Sequence, residues 1–256
     1  MAPSFMSDKC LSELALRQPY PLVFATISGA HLYGFPSNDS DCDVRGVHVL
    51  PAREVVGLDR AKETIVGCEQ VGGVELDWVT HDIRKFALLM LKRNGYVLEQ
   101  LYSPLVVHST PEHEELKEIA RGCITRHYAH HYLGFARTQW ELFGKHDPAH
   151  VKPLLYVYRV LLTGIHLMRT GEIEANLVRL NRGFCLPYID ELLQAKIEGA
   201  EKAVLSSVDL RVHRTEYARL TRELEEAYTA SKLPERPSAR PGLHDLIIRL
   251  RLNRQA

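Results

Sequence analysis

The sequence predicts an α+β protein, and three observations carry that expectation. Between Leu22 and Thr80, short runs rich in β-branched and apolar residues are separated by glycine turns, as strands of a sheet are. A Gly72-Gly73 pair joins two such runs and reads as the tip of a hairpin. From Pro111 onward apolar residues recur at intervals of three and four, the spacing of helices that bury one face. A chain of 256 residues that is 45% hydrophobic can bury a sizeable core, as one large or two small domains.

In chain order, Ser7 can cap a short helix from Asp8 to Arg17, which Pro19 and Pro21 end. Leu22 to Ile27 is then a strand, and Gly29 to Gly34 a turn. "VRGVHVL", from Val44, is a second strand, and "PAREVVGLDRAKET" a loop or short helix. The hairpin about Gly72 and Gly73 spans Thr64 to Thr80. Its second arm alternates, with Glu75 and Asp77 on one face and Val74, Leu76 and Trp78 on the other. A helix is expected over Asp82 to Arg93, with Asp82 suiting the positive end of the helix dipole. "GYVLEQLYSP" is another, stopped by Pro104. Further helices are expected at Pro111 to Ile119, Arg126 to Phe143, Val151 to Thr170, Ile189 to Val204, Val208 to Lys232 and Leu243 to Asn253.

Composition removes several classes of function. The 32 basic and 32 acidic residues balance, so net charge gives no argument for nucleic acid, and the second half is only slightly more basic than the first. Five scattered cysteines without a C-x-x-C pair point to reduced thiols, not to a disulfide framework or zinc site. The first residues lack the basic start and apolar core of a signal peptide, and no apolar run is long enough to span a bilayer. A soluble cytoplasmic protein with no membrane partner is the expectation.

The densest chemistry lies in "TISGAHLYGFPSNDSDCDVRGVHVLP", Thr26 to Pro51, which holds Asp39, Asp41 and Asp43 at alternate positions. If the chain is already extended there, Asp41 and Asp43 project the same way with Cα atoms roughly 7 Å apart. Like charges so placed call for a cation. An EF-hand beginning at Asp39 fails, because Val44 and Leu50 stand where glycine and glutamate are required. A P-loop fails as well, since Phe35 and Pro36 follow Gly34.

The order of apolar strand, glycine turn and D-x-D resembles the DNA polymerase β-like nucleotidyltransferase superfamily. The closer form "SGAHLYG…SDSDCDVRGV" is similar to its predicted nucleotidyltransferase branch of the RNA-repair-pathway type. The likeness continues through "ELDWVTHDIRKFALLMLKRNGYVLEQLYSP" and more weakly through "KPLLYVYRVLLTGIHLMRTGEI". It implies a nucleotidyltransferase core with a mixed sheet over residues 1–109, a helical substrate-binding domain over 110–256, and a site in the cleft between them. The implied reaction is transfer of a nucleoside monophosphate from a nucleoside triphosphate to a hydroxyl, with two Mg²⁺ or Mn²⁺ ions. Asp41, Asp43 and Asp77 would be the metal-binding and catalytic carboxylates, Asp77 being preferred to Glu75. Gly29 and Ala30 would hold phosphates through their N–H groups, with Ser40, Arg45, Lys152 and Arg159 as further nucleotide contacts. Ala30 departs from the superfamily serine, so a hydroxyl contact is lost unless Ser28 or Ser40 replaces it. A module that keeps the fold without turnover is the alternative that this departure supports.

Two features of the helical half bear on the acceptor. Lys152, Tyr156, Arg159, Thr163 and His166 form one polar stripe on an otherwise apolar helix, facing either water or a triphosphate. His127, His130 and His131 have helical spacing but no carboxylate or cysteine beside them, so an aromatic-packed or solvated face outweighs a metal site. With the basic segments Arg179 to Arg182 and Arg249 to Arg254, the resemblance favours an RNA end as acceptor, ahead of a protein hydroxyl or a small molecule.

Overall fold

The computed structural model describes residues 15, 17–37, 40–59, 61–71, 73–145, 150–198 and 210–253. The chain forms two compact units, one of residues 1–32, 41–124 and 236–256, the other of residues 33–40 and 125–235. The expected helix at Asp8 to Arg17 lies outside the described residues, apart from Ala15 and Arg17.

The first unit is built on a mixed five-stranded sheet. Its first elements are β1 (Leu22–Ile27), the short helix α1 (Gly29–Tyr33), whose last residue passes into the second unit, β2 (Cys42–His48) and α2 (Ala52–Val56). They are followed by β3 (Thr64–Val71), β4 (Val74–Asp82), α3 (Ile83–Leu91), α4 (Gly95–Leu101), β5 (Val106–Ser109) and α5 (Pro111–Arg121). The strand order is β3-β4-β2-β1-β5. β2 and β4 run parallel and the other neighbours antiparallel.

Every residue of β1 is buried, which accounts for its unbroken apolar run. β4 instead alternates, burying Leu76, Trp78, Thr80 and Asp82. Leu76 and Trp78 join Leu22, Ala25, Ile27, Cys42 and Val44 in one core cluster. Trp78 is 2% exposed, and burial of so large a side chain is worth about 3 kcal/mol. The opposite face of β2 and β4 is therefore left to Asp43, Arg45, Glu75 and Asp77.

Asp82 ends β4 and begins α3. Its carboxylate accepts from the Arg84 N–H at 3.0 Å, capping the helix, and from the Leu50 N–H at 3.2 Å. It also accepts at 2.6 Å from Arg251 of the last helix in the chain (Arg240–Asn253), which returns to this unit. Asp82 is fully buried, so the arginine supplies the charge that burial demands.

The second unit is helical: α6 (Ala129–Phe143, after a 3-10 turn at Arg126–Tyr128), α7 (Val151–Thr170), α8 (Leu177–Phe184), α9 (Pro187–Glu198) and α10 (Leu210–Ala230). The returning helix is α11. α7 is central, with fourteen buried residues, and packs on α6, α8, α9 and α10. The histidines of α6 pack against aromatic rings, as expected. His130 lies 4.9 Å from the Tyr228 ring and 5.9 Å from His127, and Arg126 sits over Tyr228 at 4.6 Å. No helix of the described residues is long and apolar enough to cross a membrane.

Candidate active site

The β2–β4 ladder sets the geometry. Its register places Asp43 opposite Asp77, so the two side chains leave the same face of neighbouring strands. Between them lies Arg45. Its Nη2 bonds Asp43 Oδ1 and reaches Asp77 Oδ2 at 3.0 Å. Its Nη1 donates to the Asp77 carbonyl at 2.7 Å and the Val44 carbonyl at 3.0 Å. These side chains are between 18% and 33% exposed, so the cluster remains in reach of solvent.

Asp41 stands one residue before β2 and is exposed. Its carbonyl accepts a bond from the His31 ring. Burial pushes His31 below the ordinary histidine pKa, and the Asp41 carboxylate partly opposes that. Nothing in the sequence reading singled out His31, although it stands inside "SGAHLYG". Glu75 is exposed and accepts from the Cys68 thiol at 3.4 Å on β3. Asp77 is thus the β4 acid that shares a partner with Asp43.

The glycine turn closes on the same place. The Ser28 N–H donates to the Asp43 carbonyl at 2.8 Å. Gly29 has φ +60°, and a Cβ there would stand 1.9 Å from Asp43 Oδ2. Glycine is required twice over, by backbone and by space. Ala30 follows, half-buried, in the first turn of α1.

The remaining expected contacts lie in the second unit. Ser40 is buried in its own turn: its hydroxyl accepts from the Ser37 N–H at 2.9 Å and meets the Ser37 hydroxyl at 3.0 Å. Lys196 of α9, 1% exposed, donates to that Ser37 hydroxyl. Lys196 was missed by the sequence reading. Its signal is that it continues the apolar stripe Ile189, Leu192, Leu193, where a lysine is out of place. Lys152 is half-buried in the first turn of α7. Arg159 is 1% exposed and lies over the Tyr33 ring at 4.0 Å, while Thr163 is fully buried and donates to the Glu174 carbonyl. At these two residues the polar stripe of α7 is therefore buried and does not face water.

Among the described residues, no three His, Cys, Asp or Glu side chains already converge on one metal-sized position. The donor chemistry nonetheless fits a hard divalent cation. Carboxylate oxygens of Asp43 and Asp77 converge on one point, and a cationic nitrogen occupies it.

A protein of Methanocaldococcus jannaschii, itself uncharacterized, is 32% identical over 223 residues, covering 84% of this chain and 88% of that one. An uncharacterized protein of Bacillus subtilis is 26% identical over 216 residues, covering 80% and 82%. A nucleotidyltransferase-like protein from Exiguobacterium sibiricum, known from its crystal structure, aligns over 97% of this chain and 79% of its own, at 11% identity and a TM-score of 0.33. Residues 6–249 match the family described as RNA repair pathway DNA polymerase beta. The chain belongs to that polymerase β-like nucleotidyltransferase family.

Proposed function

We propose that this protein transfers a nucleoside monophosphate from a nucleoside triphosphate to a hydroxyl acceptor, and that an RNA end is the acceptor. The observation that supports this most directly is the pairing of Asp43 with Asp77 on parallel neighbours, against the glycine turn. Asp41, Asp43 and Asp77 are the residues that would hold Mg²⁺ or Mn²⁺. When bound, such ions supply charge neutralisation to the phosphates and lower the pKa of a coordinated hydroxyl.

The protein's own groups then have separate tasks. Asp77 accepts the proton of the attacking hydroxyl. The acceptor oxygen forms a bond to the α-phosphorus as the bond to the bridging oxygen breaks, and pyrophosphate leaves. The N–H groups of Gly29 and Ala30 donate to the β- and γ-phosphate oxygens. Arg159, buried under Tyr33, has no part in this reading beyond the fold of its own unit.

A non-catalytic nucleotide-binding module is the second reading, favoured by Ala30 in place of a hydroxyl. Incubation with labelled triphosphates, Mg²⁺ and an RNA oligonucleotide separates the two. Transfer of label to RNA, lost in Asp43→Asn and in Asp77→Ala, is the expected outcome. Nucleotide binding without transfer to any acceptor would establish the module instead, and label on a protein band would replace the acceptor.

A further inference from the structure

The carboxylate pair carries its own cation on the same strand. Arg45 lies two residues beyond Asp43 and therefore on the same face of β2. Its guanidinium reaches both carboxylates and two backbone carbonyls, so four acceptors fix it. We propose that Arg45 is the resident counter-ion of Asp43 and Asp77, and that it competes with a divalent cation for this pair. The proposal rests on the metal-dependent reading above and adds a coupling to it.

One carboxylate pair cannot hold a guanidinium and a divalent ion at the same point, because the two cations repel at that distance. Cation binding therefore requires the guanidinium to leave, and its bonds to both acids are lost. Linkage makes the relation reciprocal: a phosphate that draws Arg45 away favours the cation, and the cation favours the phosphate. Arg45 would thereby make metal and nucleotide bind together in preference to either alone.

Mn²⁺ binding to the full-length protein tests this by titration calorimetry, on wild type, Arg45→Gln, Arg45→Lys and Asp43→Asn, without reference to turnover. Arg45→Gln is expected to bind Mn²⁺ on the order of tenfold more tightly, the worth of one charged hydrogen bond removed from the competitor. Arg45→Lys, which keeps the charge, should stay nearer wild type, and Asp43→Asn should lose the ion. If Arg45→Gln binds no more tightly while Asp43→Asn still loses Mn²⁺, the competition is wrong and the metal site stands. If neither wild type nor Arg45→Gln binds Mn²⁺, the metal site falls and the competition with it. Should Arg45→Gln fail to fold, wild type suffices: the Arg45 Nε–H resonance must shift during a Mg²⁺ titration with the midpoint of Mg²⁺ binding. A resonance that stays fixed while the ion binds overturns the proposal.

Discussion

Arg45 on β2 and Arg159 on α7 enter the sequence reading as equals, two cations near a phosphate, and the fold places them in opposite circumstances. Arg45 is 18% exposed at the side chain and faces two carboxylates that are themselves partly exposed. Arg159 is 1% exposed and lies against Tyr33, with Tyr156 further off at 6.0 Å. A charge paired near the surface can exchange one partner for another at little cost. A charge sealed beneath aromatic rings is part of the packing, and removing it opens a hole. The Asp43–Asp77 face of the sheet thus keeps its charge exchangeable, whereas Arg159 and Lys196 are buried in the helical unit, as Asp82 is in the sheet unit.

Truncating the two arginines should cost different amounts of stability. Arg159→Ala removes a large buried side chain together with its contact to Tyr33, and should cost about 3 kcal/mol of stability. Arg45→Gln should cost about 1 kcal/mol or less, because its ion pairs are partly screened. Urea unfolding of both variants checks the ranking. An equal or reversed order would mean that Arg159 is not sealed as described.

The carboxylate face should tolerate loss of charge better than loss of space. Gly29→Ala puts a methyl group where the Asp43 carboxylate lies and holds a non-glycine residue at positive φ. It should destabilise by about 1–2 kcal/mol and move Asp43 off Asp77. Mn²⁺ affinity should fall with it, by calorimetry. Unchanged affinity would show that Asp43 does not need the glycine contact to serve as a ligand.

Local rules made much of the fold legible. β1 and α7 appear with the expected bounds because each combines a strong apolar pattern with clear punctuation, Pro21 before one and Gly171 after the other. α8 was missed because it is only eight residues long and its buried stripe, Leu177, Leu180 and Asn181, holds just two apolar side chains. β5 was missed because four residues with no buried position carry no alternation to read. Periodicity placed Arg159 on a polar stripe but could not say what covers it. Lys196 failed for the converse reason, a charge at an apolar position that only tertiary packing explains. That Asp43 and Asp77 are neighbours came from the family likeness, since spacing alone cannot pair β2 with β4 across an intervening strand.

The smallest expected effect links Arg159 to a titration. His131 is pushed down to about 4, chiefly by burial and secondarily by the Arg159 charge. Since an unfolded histidine titrates near 6.5, the unfolded chain binds the extra proton first as pH falls. His131 therefore contributes no penalty above about pH 6.5, and stability declines as pH drops from there towards 4. Arg159→Met removes the charge while roughly preserving volume, so it should cost less stability than Arg159→Ala. The His131 ring, followed by NMR, should then titrate higher than in wild type but still below an exposed histidine, because burial is the larger cause and remains. The acid-side loss of stability attributable to His131 should shrink by less than about 1 kcal/mol. A His131 titration that does not move in Arg159→Met would separate the two groups and leave burial as the whole cause. A return to the ordinary value would mean that the charge, not the burial, sets it.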